Sequence, residues 1–193
     1  MKLNTKLINN TQLITDRESL YQILPKNGVI AELGVARGRN AKSMICCEPS
    51  QFHLFDGDLK RIPLSDMKLL EESTSIHYHE GNDLDTLQQI PDHFFDWVYL
   101  DSSHTYDHTW KELQMLKDKI KPDGFICGHN YVTFDYRYWV CLTKNKKMNC
   151  EQAVEKCYYN LKACVNKFCN ENDFELVYLT TELNPSFAIR RLK

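Results

Sequence analysis

The fold is decided by residues 29–38, which read V-I-A-E-L-G-V-A-R-G. The apolar run at their start predicts a buried strand, and this strand leads into an E-x-G-x-x-x-G arrangement between Glu32 and Gly38. Glycines between a strand and a helix allow a ligand to lie against the backbone. The stretch therefore predicts the first strand of an open α/β sheet, followed by a ligand-binding loop.

On both sides of this stretch, apolar runs alternate with amphipathic segments. Before it, the capping box of residues 15–18 predicts a helix that starts near Asp16 and stops at Pro25. After it, we predict helices at 39–47, 64–72, 84–90, 106–119 and 150–170, and strands at 52–55, 76–79, 94–100, 124–127, 175–180 and 186–190. Such a series requires right-handed crossovers and a parallel sheet with helices on both faces.

Length and composition indicate one ordinary globular domain. The chain has 193 residues, of which 42% are hydrophobic and 26% charged, so we expect a single packed core. We assign the whole range 1–193 to one domain that begins with a helical cap at 1–27. The formal net charge of −2 gives no electrostatic reason to bind nucleic acid or an anionic membrane, and it favours a small or neutral partner.

The cysteine spacing and the chain's hydropathy indicate the compartment. None of the eight cysteines forms a C-x-x-C pair, which argues against a zinc or redox motif. The N-terminus lacks the apolar stretch of a secretion signal, and no apolar run approaches the roughly 18 residues of a membrane helix. We therefore expect a soluble, cytoplasmic protein in which most cysteines act as small hydrophobic residues.

Polar or glycine-rich segments follow five consecutive predicted strands, at the sheet edge where open α/β folds bind ligands. Asp56 ends the second strand 24 residues after Glu32, roughly the spacing at which a Rossmann unit places an acid on ribose hydroxyls. The next three strands lead into 79–83 (H-E-G-N-D), 101–106 (D-S-S-H-T-Y) and 128–131 (G-H-N-Y). An NAD-type oxidoreductase stays open as an alternative, although its G-x-G-x-x-G fingerprint needs a glycine where this chain has Ala36.

Three segments resemble class I S-adenosylmethionine (SAM)-dependent methyltransferases: 31–38, 94–106 (F-F-D-W-V-Y-L-D-S-S-H-T-Y) and 121–131 (K-P-D-G-F-I-C-G-H-N-Y). The group they resemble is the methyltransferase-24 family, related to macrocin and catechol O-methyltransferases. The resemblance covers 28–131 and implies a Rossmann-like fold, with a seven-stranded, mostly parallel sheet and an antiparallel last strand. It also implies SAM as cofactor and methylation of an oxygen on a small-molecule or sugar acceptor.

For the methionine half of the cofactor, the resemblance implies five residues. Gly34 and Gly38 would make room for it, and Glu32 and Asn40 would lie near its amino and carboxylate groups. Asp101 would lie beside the methionine end or hold a metal ion.

For the nucleoside half, the resemblance implies three further residues. Asp56 would bind the ribose, and Asp58 is a competing candidate for that role. Asn82 and Asp83 would face the adenine.

The resemblance also implies that His104 and Asp101 are the catalytic residues. Catechol-type enzymes place a lysine base three residues beyond the aspartate that ends the fourth strand, and His104 has that place here. Imidazole, with an unperturbed pKa of about 6.5, can take a hydroxyl proton near neutrality; alternatively, His104 only caps the following helix. The same enzymes bind magnesium, and the implied metal ligands are Asp101, His129 and Asn130. Because a hard cation prefers oxygen ligands, the histidine weakens the magnesium prediction and favours a softer ion.

The aromatic and basic stretch after the fifth strand is predicted to be a mobile lid over the acceptor, at 131–149. Alternatively, its aromatic residues pack in the core or in the interface of a homo-oligomer. The only feature that favours an RNA 2′-O-methyltransferase is a group of three lysines, Lys144, Lys146 and Lys147. A solvated loop explains these lysines better. A non-catalytic SAM-binding protein stays open because His129 stands in place of an acid.

Overall fold

The computed structural model describes residues 11–132 and 161–192, together with the single positions 140, 144, 149 and 152. The strands are β1 (Gln12–Ile14), β2 (Val29–Leu33), β3 (Gln51–Asp56), β4 (Ser75–Glu80), β5 (Phe95–Leu100), β6 (Ile120–Gly128), β7 (Phe174–Thr180) and β8 (Phe187–Arg191). The α-helices are α1 (Arg17–Ile23), α2 (Arg39–Met44), α3 (Leu64–Ser73), α4 (Asp83–Leu87), α5 (Tyr106–Lys119) and α6 (Leu161–Glu171).

The strands form one sheet in the order β1-β7-β8-β6-β5-β2-β3-β4. Strand β8 runs antiparallel to both of its neighbours, β6 and β7, and every other pair in the sheet is parallel. The predicted mostly parallel sheet with an antiparallel last strand is confirmed. The chain leaves β2 towards β3 on one side and reaches β5 on the other, so the strand order reverses beside β2, where open α/β sheets bind ligands.

The helical cap predicted at 1–27 is wrong in one respect. Its described part, 11–27, is not purely helical. Residues Gln12–Ile14 add an eighth strand at the edge of the sheet, parallel to β7, and the Thr11 hydroxyl donates to the carbonyl of Leu176 over 2.9 Å. Three mostly exposed residues are too few to show a strand's alternation in the sequence. Helix α1 follows as expected, with Asp16 as its N-cap.

The other predicted elements are confirmed with shifts of their ends, except that most of the first half of the helix predicted at 150–170 lies outside the described residues, and the described helix is Leu161–Glu171. The helix predicted at 39–47 stops as an α-helix at Met44 and continues as a 3₁₀ turn to Cys47. The turn predicted at 121–124 lies within β6, where the pairing with β5 shifts register. No helix in the described parts of the chain is both long and apolar enough to cross a membrane.

Alternate residues of the central strands pack against helices on opposite faces of the sheet. Ile30, Trp97 and Tyr99 point to the face covered by α1, α2 and α3. Ala31 and Val98, their neighbours in the chain, pack with α4, α5 and α6 on the other face. Both faces of the central strands are therefore buried, and only the ends of the strands are left for function.

The described cysteines fit the interpretation as small hydrophobic residues. Five are free thiols, and four of these, Cys47, Cys127, Cys164 and Cys169, are buried. Burial raises the pKa of Cys164 to about 12, so this thiol stays protonated and unreactive.

Candidate active site

The segments that follow β2, β5 and β6 meet at one edge of the sheet. Three backbone hydrogen bonds hold them in register beyond the strand ends: Gly34 N to Phe55 O (2.8 Å), Asp101 N to Leu33 O (2.8 Å) and His129 N to Leu100 O (3.0 Å). The polar clusters predicted from separate strand ends are thus brought together.

Two adjoining cavities lie at this edge, with volumes of about 790 and 400 Å³. They share Gly34, Ala36, Arg61 and Asp101, so they form one continuous groove. The larger cavity is lined by the predicted methionine-half residues Glu32, Gly34, Asn40 and Asp101, and also by His104. The smaller cavity is lined by the predicted nucleoside-half residues Asp56, Asn82 and Asp83. The groove therefore brings the two predicted sets of residues together, one set in each cavity.

Gly34 is required by its backbone and its surroundings. Its φ of +88° lies in the left-handed region, and a Cβ atom there would collide with the backbone of Asp101. Gly38 also has a positive φ, of +71°, but it lines neither cavity and is the N-cap residue of α2. Gly38 therefore shapes the loop, and Gly34 provides the close approach to the groove.

Asp56 fastens the loop after β2 to the loop after β3. Its Oδ2 accepts a hydrogen bond from the amide of Ala36 over 2.7 Å, and its Oδ1 accepts one from the amide of Asp58 over 2.9 Å. Each carboxylate oxygen keeps a further lone pair, so both can still accept from ribose hydroxyls. The competing residue, Asp58, is exposed and does not line the groove.

Buried Glu32 and half-buried Asn40 form a hydrogen-bonded pair on the wall of the larger cavity. The Asn40 amide donates to Glu32 Oε1 over 2.9 Å, while Asn40 Oδ1 accepts from the Tyr21 hydroxyl over 2.6 Å. Glu32 Oε2 is buried and has no hydrogen-bond partner among the described residues, and burial raises the pKa of this carboxyl well above its ordinary value. An orphaned carboxylate oxygen fits a positively charged amino group, such as that of the methionine part of SAM.

Asn82 lies at the smaller cavity, and its side chain already has a structural role. Its Oδ1 accepts from the amides of Leu84 (3.0 Å) and Asp85 (3.3 Å) as the N-cap of α4. This cap fixes the neighbouring Asp83, whose Oδ1 accepts from the amide of Leu84 over 2.8 Å.

Two residues of α5 that the sequence analysis missed lie beside Asp83. His108 Nε2 lies 2.8 Å from Asp83 Oδ2 and 3.5 Å from Oε1 of the fully buried Glu112. Its hydrogen bond to Glu112, reinforced by Asp83, raises the pKa of His108 to about 9. His108 is therefore a cation near neutrality, and it lies between the two carboxyl groups beside the smaller cavity.

Asp101 is the centre of the cluster at the other end. Its Oδ1 lies 3.2 Å from His104 Nε2 and 3.4 Å from His129 Nδ1, and its Oδ2 lies 3.7 Å from Arg17 Nη1. Burial acts to raise the pKa of the Asp101 carboxyl, but hydrogen bonds from His104 and His129 hold it below its ordinary value. Asp101 is therefore an anion that orients two imidazoles.

His104 contacts Asp101 and is not the cap of α5. The N-cap residue is Thr105, while His104 has a φ of +52°, a left-handed conformation uncommon for a residue with a side chain. This conformation belongs to the segment that presents the imidazole to the larger cavity. The role of His104 as a base stays a prediction.

Arg17 is the functional candidate that the sequence analysis missed entirely. It lies at the start of α1, lines the larger cavity and donates to Asn40 Oδ1 over 3.1 Å. Its other nitrogen, Nη2, lies 3.2 Å from His129 Nε2. The guanidinium thus connects the methionine end of the groove to the Asp101 cluster. The only signal in the sequence was its place in a capping box.

Of the three implied metal ligands, Asp101 and His129 come together, and with His104 they form a set whose ligand atoms lie within 4.8 Å of one another. An arginine can only donate, so His129 Nε2 must accept from Arg17, and the ring proton is on Nδ1, the nitrogen facing Asp101. His129 then has no lone pair to give a metal ion at Asp101. The described arrangement does not fit the ion that the resemblance implied.

The predicted lid, 131–149, lies outside the described residues except for Tyr131, Val132 and the single positions 140, 144 and 149. Tyr131, the first residue of the predicted lid, does not belong to a lid. Its ring is buried in the core beside Phe187, and its hydroxyl donates to Asn166 Oδ1 over 2.6 Å. Tyr131 therefore anchors the end of β6 to α6.

The strand order, the glycine loop and the acidic strand ends together define a class I SAM-dependent methyltransferase. The family model described as a methyltransferase domain matches residues 20–131. The chain therefore belongs to the methyltransferase-24 family, which confirms the predicted class and goes against an NAD-type oxidoreductase. No sequence among the curated proteins matches the chain.

Solved structures of methyltransferases share the fold. The trans-methyltransferase CalH in complex with SAH superimposes over 91% of this chain, with a TM-score of 0.63 and 12% identity, and this chain spans 55% of its length. A SAM-dependent methyltransferase from Methanosarcina mazei gives 0.63 at 10% identity, over 93% of this chain and 99% of that one. An O-methyltransferase from Bacillus cereus in complex with SAH gives 0.60 at 17% identity, over 90% and 78% of the two chains. At these identities the likeness establishes the fold alone.

Proposed function

We propose that the protein transfers the methyl group of SAM to a hydroxyl oxygen of a small-molecule or carbohydrate-like acceptor, with His104 as the general base. The observation that carries this proposal is the pairing of His104 Nε2 with Asp101 Oδ1 at 3.2 Å, on the wall of the larger cavity. A carboxylate that fixes the tautomer and orientation of a histidine is a recurring arrangement for proton abstraction.

The proton moves through His104. Because Asp101 is an anion, it accepts from the Nε2–H of His104, which leaves the lone pair on Nδ1 for the acceptor hydroxyl. SAM, when bound, supplies a methyl group activated by its sulfonium, which the acceptor oxygen displaces in line. The residues of the groove contribute mainly by positioning the two reactants and excluding water.

The cofactor would be held from both ends of the groove. The orphaned Oε2 of Glu32 would accept from the amino group, and Asp56 would accept from the ribose hydroxyls. The Asp83–His108 pair would face the adenine. Gly34 would allow the cofactor to lie against the backbone between them.

Two observations support a small hydroxylated acceptor. The net charge of −2 gives no attraction to nucleic acid, and one structural neighbour is an O-methyltransferase. We propose that the rest of the predicted lid, from residue 133 to residue 149, covers the acceptor. The adjacent free thiols Cys46 and Cys47 suit a reducing compartment, and we propose the cytoplasm.

The decisive experiment is mass spectrometry of the protein as purified under native conditions, with thermal shifts measured for SAM, SAH and NADH. Co-purified SAM or SAH, and stabilisation by both compounds, are expected. An acceptor panel of phenols, sugars and hydroxylated metabolites, read by SAH release, then tests turnover. Binding without turnover on the panel would favour a non-catalytic SAM-binding protein, and stabilisation by NADH alone would overturn the proposal.

A further inference from the structure

We infer that Arg17 is the resident cation of the catalytic cluster, so that Asp101, His104 and His129 work without a metal ion. Here the catalytic cluster means these four residues. The inference rests on the proposed function, because it concerns how the proposed base is held. It departs from the metal-dependent catechol-type pattern, in which a divalent ion is bound by the aspartate at the position that Asp101 has here, after β5.

The guanidinium of Arg17 is held in place by several groups at once. Nη1 donates to Asn40 Oδ1 at 3.1 Å and lies 3.7 Å from Asp101 Oδ2, and Nη2 lies 3.2 Å from His129 Nε2. The guanidinium carbon also lies 5.7 Å from the centre of the Tyr99 ring, within the range of a cation–π contact. Contacts in four directions fix this charge beside Asp101.

Helix α1 is itself fixed to the sheet, so Arg17 does not depend on a loose segment. The Asp16 side chain caps the helix by accepting from the amide of Ser19 over 2.8 Å. Tyr21 is fully buried and stacks on Trp97, with ring centres 5.9 Å apart, and the Trp97 indole donates to the carbonyl of Pro25. Both ends of α1 are thus tied to the fold.

The donors and acceptors around Arg17 determine where the protons are. Arg17 cannot accept, so the lone pair of His129 is on Nε2 and its ring proton is on Nδ1. That proton points to Asp101 Oδ1, which also faces Nε2 of His104. The chain Arg17–His129–Asp101–His104 therefore leaves the lone pair of His104 on Nδ1, the atom that the proposed reaction needs.

A divalent ion would have to displace this arrangement. To bind between Asp101 and His129, it would need the Nδ1 lone pair of His129, which is occupied by the proton. It would also have to lie beside the Arg17 guanidinium, at a site whose single carboxylate already faces that cation. Arg17 lines the same cavity as His104, so it can stabilise negative charge on the acceptor oxygen as the proton leaves. In a metal-dependent enzyme, the metal ion would stabilise this negative charge.

The first test removes the cation and measures metal binding, with Co²⁺ as the probe in calorimetric titrations. Wild type and Asp101→Asn should bind the same number of Co²⁺ equivalents. Arg17→Met should gain one equivalent, and Arg17→Met/Asp101→Asn should lose it again. The matched control is Arg190→Met, which removes an arginine that pairs with Glu175 away from the groove and should leave the number unchanged.

A Co²⁺ equivalent in the wild type that Asp101→Asn abolishes would overturn the inference, and so would an Arg17→Met protein that gains none. If Arg17→Met fails to fold by circular dichroism, the comparison of wild type with Asp101→Asn still decides. Neither measurement requires an acceptor, so these results stand even if methyl transfer is never observed.

The second test reads the proton positions directly. Nitrogen-15 NMR of the histidine rings, with His129 assigned from a His129→Gln spectrum, should show the wild-type His129 protonated on Nδ1 alone. Arg17→Met should give a mixture of tautomers, because Nε2 loses its donor, whereas Arg190→Met should not. An Nε2-protonated His129 in the wild type would contradict the inference.

Discussion

The backbone amide of Ala36 donates a hydrogen bond to Asp56 Oδ2 over 2.7 Å, which joins the carboxylate at the end of β3 to the glycine loop after β2. We predict that Asp56→Ala weakens SAM binding roughly 10- to 150-fold, because charge-assisted hydrogen bonds worth about 1.5–3 kcal/mol are lost. Calorimetry with SAM measures the effect. Asp58→Ala, which removes an exposed carboxylate two residues away, should bind like the wild type. Equal affinities for Asp56→Ala and wild type would place the ribose elsewhere.

Glu32→Gln should weaken SAM binding by about the same factor, because the Glu32 carboxyl, protonated in the free protein, can ionise against the cofactor's amino group and an amide cannot. The same variant should change the pH dependence of the free protein's stability. The folded-state pKa of Glu32 is raised well above 4.5, so its folded form stays protonated while the unfolded form ionises.

The contribution of Glu32 to stability is therefore full below about pH 4.5 and declines as the pH rises towards the folded pKa, by up to about 1.4 kcal/mol per pH unit. Glu32→Gln lacks this decline. Urea unfolding of both proteins between pH 5 and pH 8 checks the prediction, and a stability difference that is constant over this range would contradict it.

His104→Asn should lower the rate of methyl transfer by about 10²- to 10⁴-fold and leave SAM affinity nearly unchanged, as expected for loss of a general base. Asparagine is chosen because it tolerates the left-handed backbone at this position. Single-turnover kinetics with an acceptor identified by the panel provide the measurement. Asp107→Ala, at an exposed position in the first turn of α5, is the control. Normal turnover by His104→Asn would mean that the proton leaves by another group.

A stack of histidines on β3 and β4 predicts sensitivity to acid. His53 is 5% exposed, lies with Nδ1 2.9 Å from His79 Nε2, and stacks on His77 with ring centres 4.4 Å apart. Burial, together with the two neighbouring histidines, lowers the pKa of His53 to about 3. In the folded protein His53 is therefore neutral well below the pH at which it would protonate in the unfolded chain.

The lowered pKa of His53 determines the direction in which stability changes with pH. The stability associated with neutral His53 is fully present above pH 6.5, the ordinary value, and is lost as the pH falls from there towards about 3. His53→Phe should therefore flatten the loss of stability on the acid side, by up to about 1.4 kcal/mol per pH unit. Thermal unfolding between pH 7 and pH 4.5 measures it, and parallel curves for the two proteins would refute the assignment.

The sequence predicts those site residues that end a strand. Glu32, Asp56 and Asp101 follow apolar runs, and parallel strands bring their carboxyl ends to one edge, so their proximity follows from the fold. His108 and Glu112 share one face of α5 because they are four residues apart, and this spacing was a readable signal that the sequence analysis missed.

Arg17 could not be predicted in this way. It precedes the first strand of the ligand edge, and its contacts with His129 and Asp101 depend on how α1 lies across the sheet, which no local pattern encodes. The tautomer of His129 is likewise set by a partner distant in the chain. Metal dependence was therefore left open by the sequence, because Arg17, the residue that we infer to decide it, is not part of any metal or cofactor motif.

The pairing of β1 with β7 determines when the site is completed during synthesis. Thr11 and Leu176, joined by a hydrogen bond, are 165 residues apart, and the amide of Thr181 donates to the carbonyl of Ile14 at the start of the turn into α1. The nascent chain thus releases Arg17 from the ribosome long before the strand against which its helix is anchored. A ribosome-bound chain that ends before β7 is expected to carry the glycine loop and Asp56 without a fixed Arg17.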